Sequence, residues 1–248
     1  MSPSTDFREN REFATELKFP VYPDVASRIQ AWARAHLQPD PNAGGPAGDT
    51  YRVTTLYFDT AQWDVFHRRA SFGRSKFRIR RYGAGDTVFL ERKARTRTLL
   101  SKRRSLIPLA ELPRLAGPYA EPGWPGFWLH RRLRLRQLSP VCQLRYDRTA
   151  RVAPGPHGPI RLTLDRDLRG LPTVGMWFCD DPGMAILPDA VIVELKFRRE
   201  APLLFKRLIE EFALNVATFS KYRHAAARLG LVPVEAIPAP AATLPAYA

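Results

Sequence analysis

The chain has 248 residues, 45% of them hydrophobic, enough for one substantial core in a single domain. Lys and Arg number 39 against 24 acidic residues, a formal charge of +15 with a pI near 10.5, so the expected partner is a polyanion: nucleic acid, an anionic membrane surface or polyphosphate. The cysteines, Cys142 and Cys179, form no C-x-x-C pair and argue against a disulfide framework or a thiolate zinc site. No run approaches the roughly 18 apolar residues of a membrane helix, and the first thirty residues lack a signal-peptide core, so a cytoplasmic protein is expected.

Residues 1–10 read as an extension before the domain. Within Glu16–Phe19, Glu16 and Lys18 share one strand face while Leu17 and Phe19 share the other. From Asp24 to Leu37, Val25, Ile29, Trp32, Ala33 and Leu37 follow a helical period, and Pro39 follows the end of the amphipathic helix they predict. Pro39 to Asp49, rich in Pro, Gly and Asp, predicts a solvated loop before an extended run from Tyr51 to Phe58. Alternation then recurs: Arg74, Lys76, Arg78 and Arg80 lie opposite Phe77 and Ile79. Gly83-Ala84-Gly85 reads as a hairpin turn, after which Glu91 and Lys93 lie opposite Leu90. Lys102 and Arg104 continue the pattern, with Arg103 on the other face. An irregular zone from Gly117 to Gly126 punctuates two halves of one domain, and a short helix is expected over Phe127–Leu135.

In the second half, Tyr146 pairs with Arg148 on one face. Arg161, Thr163 and Asp165 oppose Ile160, Leu162 and Leu164, and Glu194 with Lys196 opposes Val193, Leu195 and Phe197. After Pro202, Leu203, Leu204, Leu208, Ile209, Phe212 and Ala213 repeat at helical spacing, and another helix is expected over Ser220–Leu229. Residues 233–248 form an Ala- and Pro-rich tail whose composition predicts disorder, leaving 11–232 as the domain.

For any single strand, a charged face is an ordinary solvent face of a sheet whose apolar side packs on helices. Here the charged faces recur on at least six predicted strands and mix acid with base at i, i+2 spacing. A barrel whose apolar faces pack outward against helices would place these charges around a lumen. Because burying so many cations without a counter-ion is costly, such a lumen calls for a polyanionic guest or much water.

These residues resemble the VTC (vacuolar transporter chaperone) domain of polyphosphate polymerases, within the triphosphate tunnel metalloenzyme (CYTH-like) superfamily. The resemblance runs in order through Glu16-Leu17-Lys18-Phe19, Thr55-Leu56-Tyr57-Phe58-Asp59-Thr60 and Lys76-Phe77-Arg78-Ile79-Arg80-Arg81-Tyr82. It continues through Phe89-Leu90-Glu91-Arg92-Lys93, Ser101-Lys102-Arg103-Arg104 and Tyr146-Asp147-Arg148-Thr149-Ala150, then Arg161-Leu162-Thr163-Leu164-Asp165, Glu194-Leu195-Lys196 and Ser220-Lys221-Tyr222. Each string alone is weak; nine in order are specific. The resemblance implies an α+β fold built on a closed eight-stranded antiparallel β-barrel with flanking helices. It implies a metal-dependent enzyme, transferring the ATP γ-phosphate to a growing polyphosphate chain. The wider superfamily opens with Glu-x-Glu-x-Lys, whereas Ala14 stands at the first acidic position here, which leaves the metal site sparsely supplied.

Phosphoryl transfer asks a protein mainly to position reactants and to neutralise charge on the transferring group. Lys18, Arg78, Arg80, Lys93, Arg148 and Lys221 are the candidate catalytic cations; Lys76, Lys102, Arg104, Arg161, Lys196, Ser220 and Tyr222 are candidates for binding phosphate or polyphosphate. Glu194 is the leading ligand for Mn²⁺ or Mg²⁺, with Glu16 and Glu91 as secondary candidates that read equally well as counter-charges to neighbouring lysines. Ser220 reads both as an N-cap and as part of a phosphate-closing segment with Lys221. No P-loop pattern occurs, and the five histidines show no paired ligand spacing. The expected partners are ATP and polyphosphate, with a membrane-protein partner handling the product at the inner face of a membrane, and no nucleic acid. A tunnel-type triphosphatase or polyphosphatase and a non-catalytic polyphosphate-binding module are the competing readings.

Overall fold

The computed structural model describes residues 6–12, 14–41, 43–44, 48–73, 75–95, 99–173 and 175–232. Arg74 and the tail from residue 233 to 248 lie outside the described residues. The first half contains β1 (Asp6–Glu12), β2 (Ala14–Val21), α1 (Pro23–His36), the two-residue β3 (Gln38–Pro39), β4 (Thr50–Asp59), α2 (Asp64–His67), β5 (Lys76–Tyr82), β6 (Thr87–Arg95) and β7 (Leu99–Pro108). The second contains α3 (Phe127–Leu135), β8 (Ser139–Ala153), β9 (Ile160–Pro172), the two-residue β10 (Met184–Ala185), β11 (Val191–Arg198), α4 (Leu203–Glu211) and α5 (Lys221–Arg228). The irregular zone around Gly117–Gly126 separates the halves, yet β8 pairs with β4, so both halves build one sheet.

The strands are antiparallel in the order β1-β7-β6-β5-β4-β8-β9-β11-β2, with β3 on β8 and β10 on β9. The two edges, β1 and β2, are one residue apart in the chain: β1 pairs with β7 and β2 with β11. Taken as one segment, β1 and β2 bring the ring to the expected eight strands. Hydrogen bonds do not form a seam between them among the described residues; the chain itself joins the edges. Residues 6–10, expected before the domain, belong to β1, with Asp6 opposite Ser105 and Asn10 opposite Ser101.

The apolar faces do pack outward. Phe19, Leu162, Leu164, Val193 and Leu195 meet Ala26, Ile29 and Ala33 of α1 and Phe205 and Leu208 of α4 in one core. Leu56, Phe77, Ile79, Leu90 and Ile107 meet Leu129 and Leu133 of α3 and Ala225 and Ala226 of α5 in the other. Each fully buried large side chain contributes roughly 1.5–3 kcal/mol, so the helices are held by the strand faces that alternation marks as apolar. No helix among the described residues is long and apolar enough to cross a membrane.

The loop expected to be solvated over 39–49 departs from that reading at its acidic ends. Asp49 is fully buried and accepts hydrogen bonds from Arg151 at 2.9 and 3.1 Å and from Arg34 at 3.0 and 3.2 Å. Asp40 is buried as well, 2.7 Å from Arg161. Local composition marks the loop as polar, but Arg151 and Arg161, which pair with its carboxylates, come from the distant strands β8 and β9, and Arg34 from α1.

Candidate functional site

Register decides which charges meet inside the ring. On β5, Lys76, Arg78 and Arg80 share the inner face; β6 sets Lys93 opposite Lys76 and Glu91 opposite Arg78, and β7 sets Lys102 opposite Lys93 and Arg104 opposite Glu91. Across the ring, β11 sets Glu194 between Lys18 and Thr163, and Lys196 between Glu16 and Arg161. Arg148 on β8 stands opposite Asp165 on β9.

Glu91, 1% exposed, is the hub of one cluster: it accepts from Arg78 Nε at 2.7 Å and Arg104 Nε at 2.8 Å, with Lys102 at 3.5 Å and Arg80 at 3.9 Å. Burial pushes its carboxyl up, but these cations outweigh burial and hold it well below the usual range. Glu16 is the second hub, with Lys93 donating to both oxygens at 2.6 and 2.7 Å, Lys196 at 3.1 Å and Lys18 at 3.8 Å. It too stays ionised against burial, through Lys196, Lys93 and Lys18. Asp165 is the third: Arg148 presents a two-pronged fork at 2.6 and 2.8 Å and Lys221 approaches to 2.5 Å. Alternation placed Asp165 on the inner face; its role as the anchor of Arg148 and Lys221 depends on the turn of α5, which lies far along the chain.

Glu194 differs from these hubs. Among the described residues it carries one ion pair, with Lys18 at 3.8 Å, and no hydrogen bond. Its cross-strand neighbour Thr163 has a buried hydroxyl without a partner, as does Tyr146. Buried oxygens left unpaired are costly unless a guest completes them. No group of three or more His, Cys, Asp or Glu side chains forms a metal cage among the described residues. The available set, one carboxylate beside one hydroxyl, fits a hard divalent ion that completes its shell with phosphate oxygens and water. Glu16 and Glu91 have their oxygens engaged by ammonium and guanidinium groups.

The remaining cations line the same space. Arg161 donates to the Tyr51 hydroxyl at 2.8 Å, Arg104 reaches the Tyr82 hydroxyl at 2.9 Å, and Lys76 donates to Ser220 Oγ at 3.0 Å. Ser220 also caps α5, its Oγ accepting from the Arg223 N–H at 3.4 Å, as expected of an N-cap. Tyr222 departs from the expected phosphate-binding set. It is buried, stacks on Tyr57 and donates its hydroxyl to Asp59, which also accepts the N–H groups of Thr60, Val65 and Phe66. One residue along a helix turns a side chain by about 100°, so a helix that aims Lys221 at Asp165 aims Tyr222 elsewhere.

The lumen is under-neutralised. Burial, reinforced by Lys18, Lys93 and Arg78, pulls the Lys76 ammonium from its ordinary 10.5 to about 7. Burial also brings Lys93 and Lys102 to about 8, although Glu16 and Glu91 oppose the shift. The Tyr82 phenol falls to about 8 because Arg80 and Arg104 outweigh its burial. This is the electrostatic signature of a site built to receive negative charge.

The VTC domain family profile matches residues 13–230 of this chain. Among solved structures, a candidate adenylate cyclase from Bacillus halodurans is similar with a TM-score of 0.54 at 16% identity, covering 86% of this chain and 95% of that one. A candidate adenylyl cyclase from Hippeastrum, described as having a dominant triphosphatase activity, is similar with a TM-score of 0.51 at 16% identity over 91% and 99% of the two chains. At such identity these likenesses establish a common fold. Curated protein sequences give no match. A basic lumen ringed by antiparallel strands, together with a family match over most of its length, places this chain in the VTC domain family.

Proposed function

We propose that the protein is a polyphosphate polymerase that transfers the ATP γ-phosphoryl group to the end of a polyphosphate chain held in the lumen. The observation that carries this reading is the charge imbalance there. Three carboxylates are already engaged by cations, and Lys76, Lys93 and Lys102 are still driven toward losing their protons. A row of phosphates relieves that repulsion along the whole lumen.

In the transfer, an oxygen of the chain's terminal phosphate bonds to the γ-phosphorus as the bond to the bridging oxygen breaks, and ADP leaves with that electron pair. The terminal phosphate is already ionised at neutral pH, so this acceptor requires no side-chain base. That agrees with Glu16, Glu91 and Asp165 being committed to cations. Arg78 and Arg80 offer guanidinium forks to the transferring group, and Lys18, Lys93 and Lys221 offer point charges along the path. A divalent ion, Mn²⁺ or Mg²⁺, held by Glu194 beside Thr163, would neutralise charge on the nucleotide's phosphate oxygens.

The test is incubation of purified protein with ATP and Mn²⁺ or Mg²⁺, resolved on a gel. A ladder of polymer with matching ADP is expected. Orthophosphate without a ladder would assign the lumen to triphosphate or polyphosphate hydrolysis, and tight binding without turnover would reduce it to a binding module.

A further inference from the structure

At the end of the lumen where β5 begins, two cations outside the strands, Arg68 and Arg223, stand near Lys76. Lys76, the first residue of β5, donates to Ser220 Oγ at the start of α5. Arg223, one turn along α5, lays its guanidinium over the Phe66 ring of α2 at 5.0 Å, and its Nε is buried without a hydrogen-bond partner. Phe66 also packs edge-on against Tyr222, and Asp59 clamps both helices by accepting the Val65 and Phe66 N–H groups and the Tyr222 hydroxyl. Arg68 follows α2 directly, exposed and at φ 59°, a left-handed conformation that non-glycine residues seldom adopt.

The charges are not balanced locally. Asp64, the acid at the start of α2, is occupied by the Thr60 hydroxyl at 2.7 Å and pairs with Arg69 at 4.0 Å. Arg68 disfavours the charged form of both Lys76 and Arg223, in each case as an addition to burial, so Arg68 acts on both of the other cations. A rigid seat that holds like charges together, with one donor left unpaired and one backbone residue in a strained conformation, is the arrangement expected where an anion completes the site.

We propose that Arg68, Lys76 and Arg223, set around Ser220, form an outer anion site at this end of the tunnel that grips phosphates of a polyphosphate chain as it passes between the lumen and solvent. This rests on the lumen reading but adds to it: Arg68 and Arg223 lie outside the strand faces, and through them the site senses chain length. On this proposal a triphosphate is held by the lumen cations alone, and a longer chain also engages Arg68 and Arg223.

The test measures binding of tripolyphosphate and of long-chain polyphosphate to the full chain, without nucleotide or turnover, for the parent, Arg68→Gln and Arg223→Gln. Each variant is expected to weaken long-chain binding roughly three- to tenfold, as a charge-assisted phosphate contact partly screened by water does. Each should also lower the slope of log affinity against log salt by about one. Tripolyphosphate affinity should stay within about twofold, the resolution of such titrations against a tenfold effect of 1.4 kcal/mol. Arg68 is exposed, so Arg68→Gln remains informative if Arg223→Gln loses its stacking on Phe66 and folds poorly. Unchanged long-chain binding, or equal weakening of both ligands, overturns the outer site while leaving the lumen reading intact. Failure of the parent to bind either ligand removes both.

Discussion

The ammonium of Lys93 on β6 donates to both oxygens of Glu16 on β2, although β6 and β2 are not neighbours in the sheet. This contact spans the interior and ties the segment that joins the two sheet edges to a central strand. Removing the carboxylate leaves Lys18, Lys93 and Lys196 facing one another. Glu16→Gln is expected to lower unfolding free energy by about 2–3 kcal/mol, below the ~3–5 of a fully buried pair because the lysines keep a quarter to a third of their exposure. Urea unfolding measures the loss, and saturating tripolyphosphate should recover part of it by binding only the folded state. A change near zero would mean that the pair does not support the ring.

The depressed lysines give a pH dependence of definite sign. Lys76 titrates near 7 and Lys93 and Lys102 near 8 in the folded protein, against an ordinary 10.5. Between these values the unfolded chain binds more protons than the folded one. The cost of holding the lysines charged is therefore full below about pH 7 and is relieved as pH rises toward 10.5. These groups favour greater stability of the free protein with rising pH across that window. A polyanion reverses the shifts, so binding takes up protons around pH 8 and weakens as pH rises further. Calorimetry in buffers of different ionisation heat reads the uptake directly; no uptake, or tighter binding at higher pH, would contradict this account.

Alternation made most of this site readable in the sequence. A strand's period of two is strict, so Lys76, Arg78 and Arg80, or Glu194 and Lys196, had to share a face wherever the strand lay. The helices over Phe127–Leu135 and after Pro202 were equally readable, because a periodic apolar stripe must meet a core. Pairings across long separations were not readable. Nothing local marks Asp49 as the partner of Arg151, 102 residues on, or residues 6–10 as the edge of a sheet. The same limit applies to the carboxylates: Glu194 is ranked ahead of Glu16 and Glu91 in the sequence reading, but the three look alike in their strands, and the cations that engage Glu16 and Glu91 come from strands distant in the chain.

That difference predicts distinct outcomes for Glu194. Its one ion pair among the described residues is with Lys18 at 3.8 Å, so Glu194→Gln removes little native structure. Unfolding free energy is expected to change by less than about 1 kcal/mol. Metal-dependent turnover should fall on the order of a hundredfold, while metal-free tripolyphosphate binding persists or tightens as negative charge leaves the lumen. Glu91→Gln should do the reverse to stability, since it strips the partner from Arg78 and Arg104 at one stroke. Parallel denaturation and turnover measurements on both variants check the assignment, and a Glu194→Gln protein with unaltered metal-dependent turnover would remove that residue from the metal site.

Arg78 and Arg80 sit two residues apart on β5 but are not equally free to hold a phosphate. Arg78 donates its Nε to Glu91 at 2.7 Å, whereas Arg80, 7% exposed, has Glu91 only at 3.9 Å and is held by Thr55 at 3.4 Å and by Tyr82. The Arg80 guanidinium is therefore the less tightly paired with a carboxylate, and a bound phosphate gains more from it. Arg80→Ala is expected to cost about a hundred- to a thousandfold in polymer formation, as does loss of a donor to transition-state charge. Arg78→Ala should cost less in turnover and more in stability, because it also deprives Glu91 of a partner. Arg80→Lys should restore charge without the two-pronged fork and so recover binding better than turnover. Polymer ladders, tripolyphosphate affinities and melting temperatures for the three variants separate these effects; equal turnover for Arg80→Ala and the parent protein would rule Arg80 out of the transferring site.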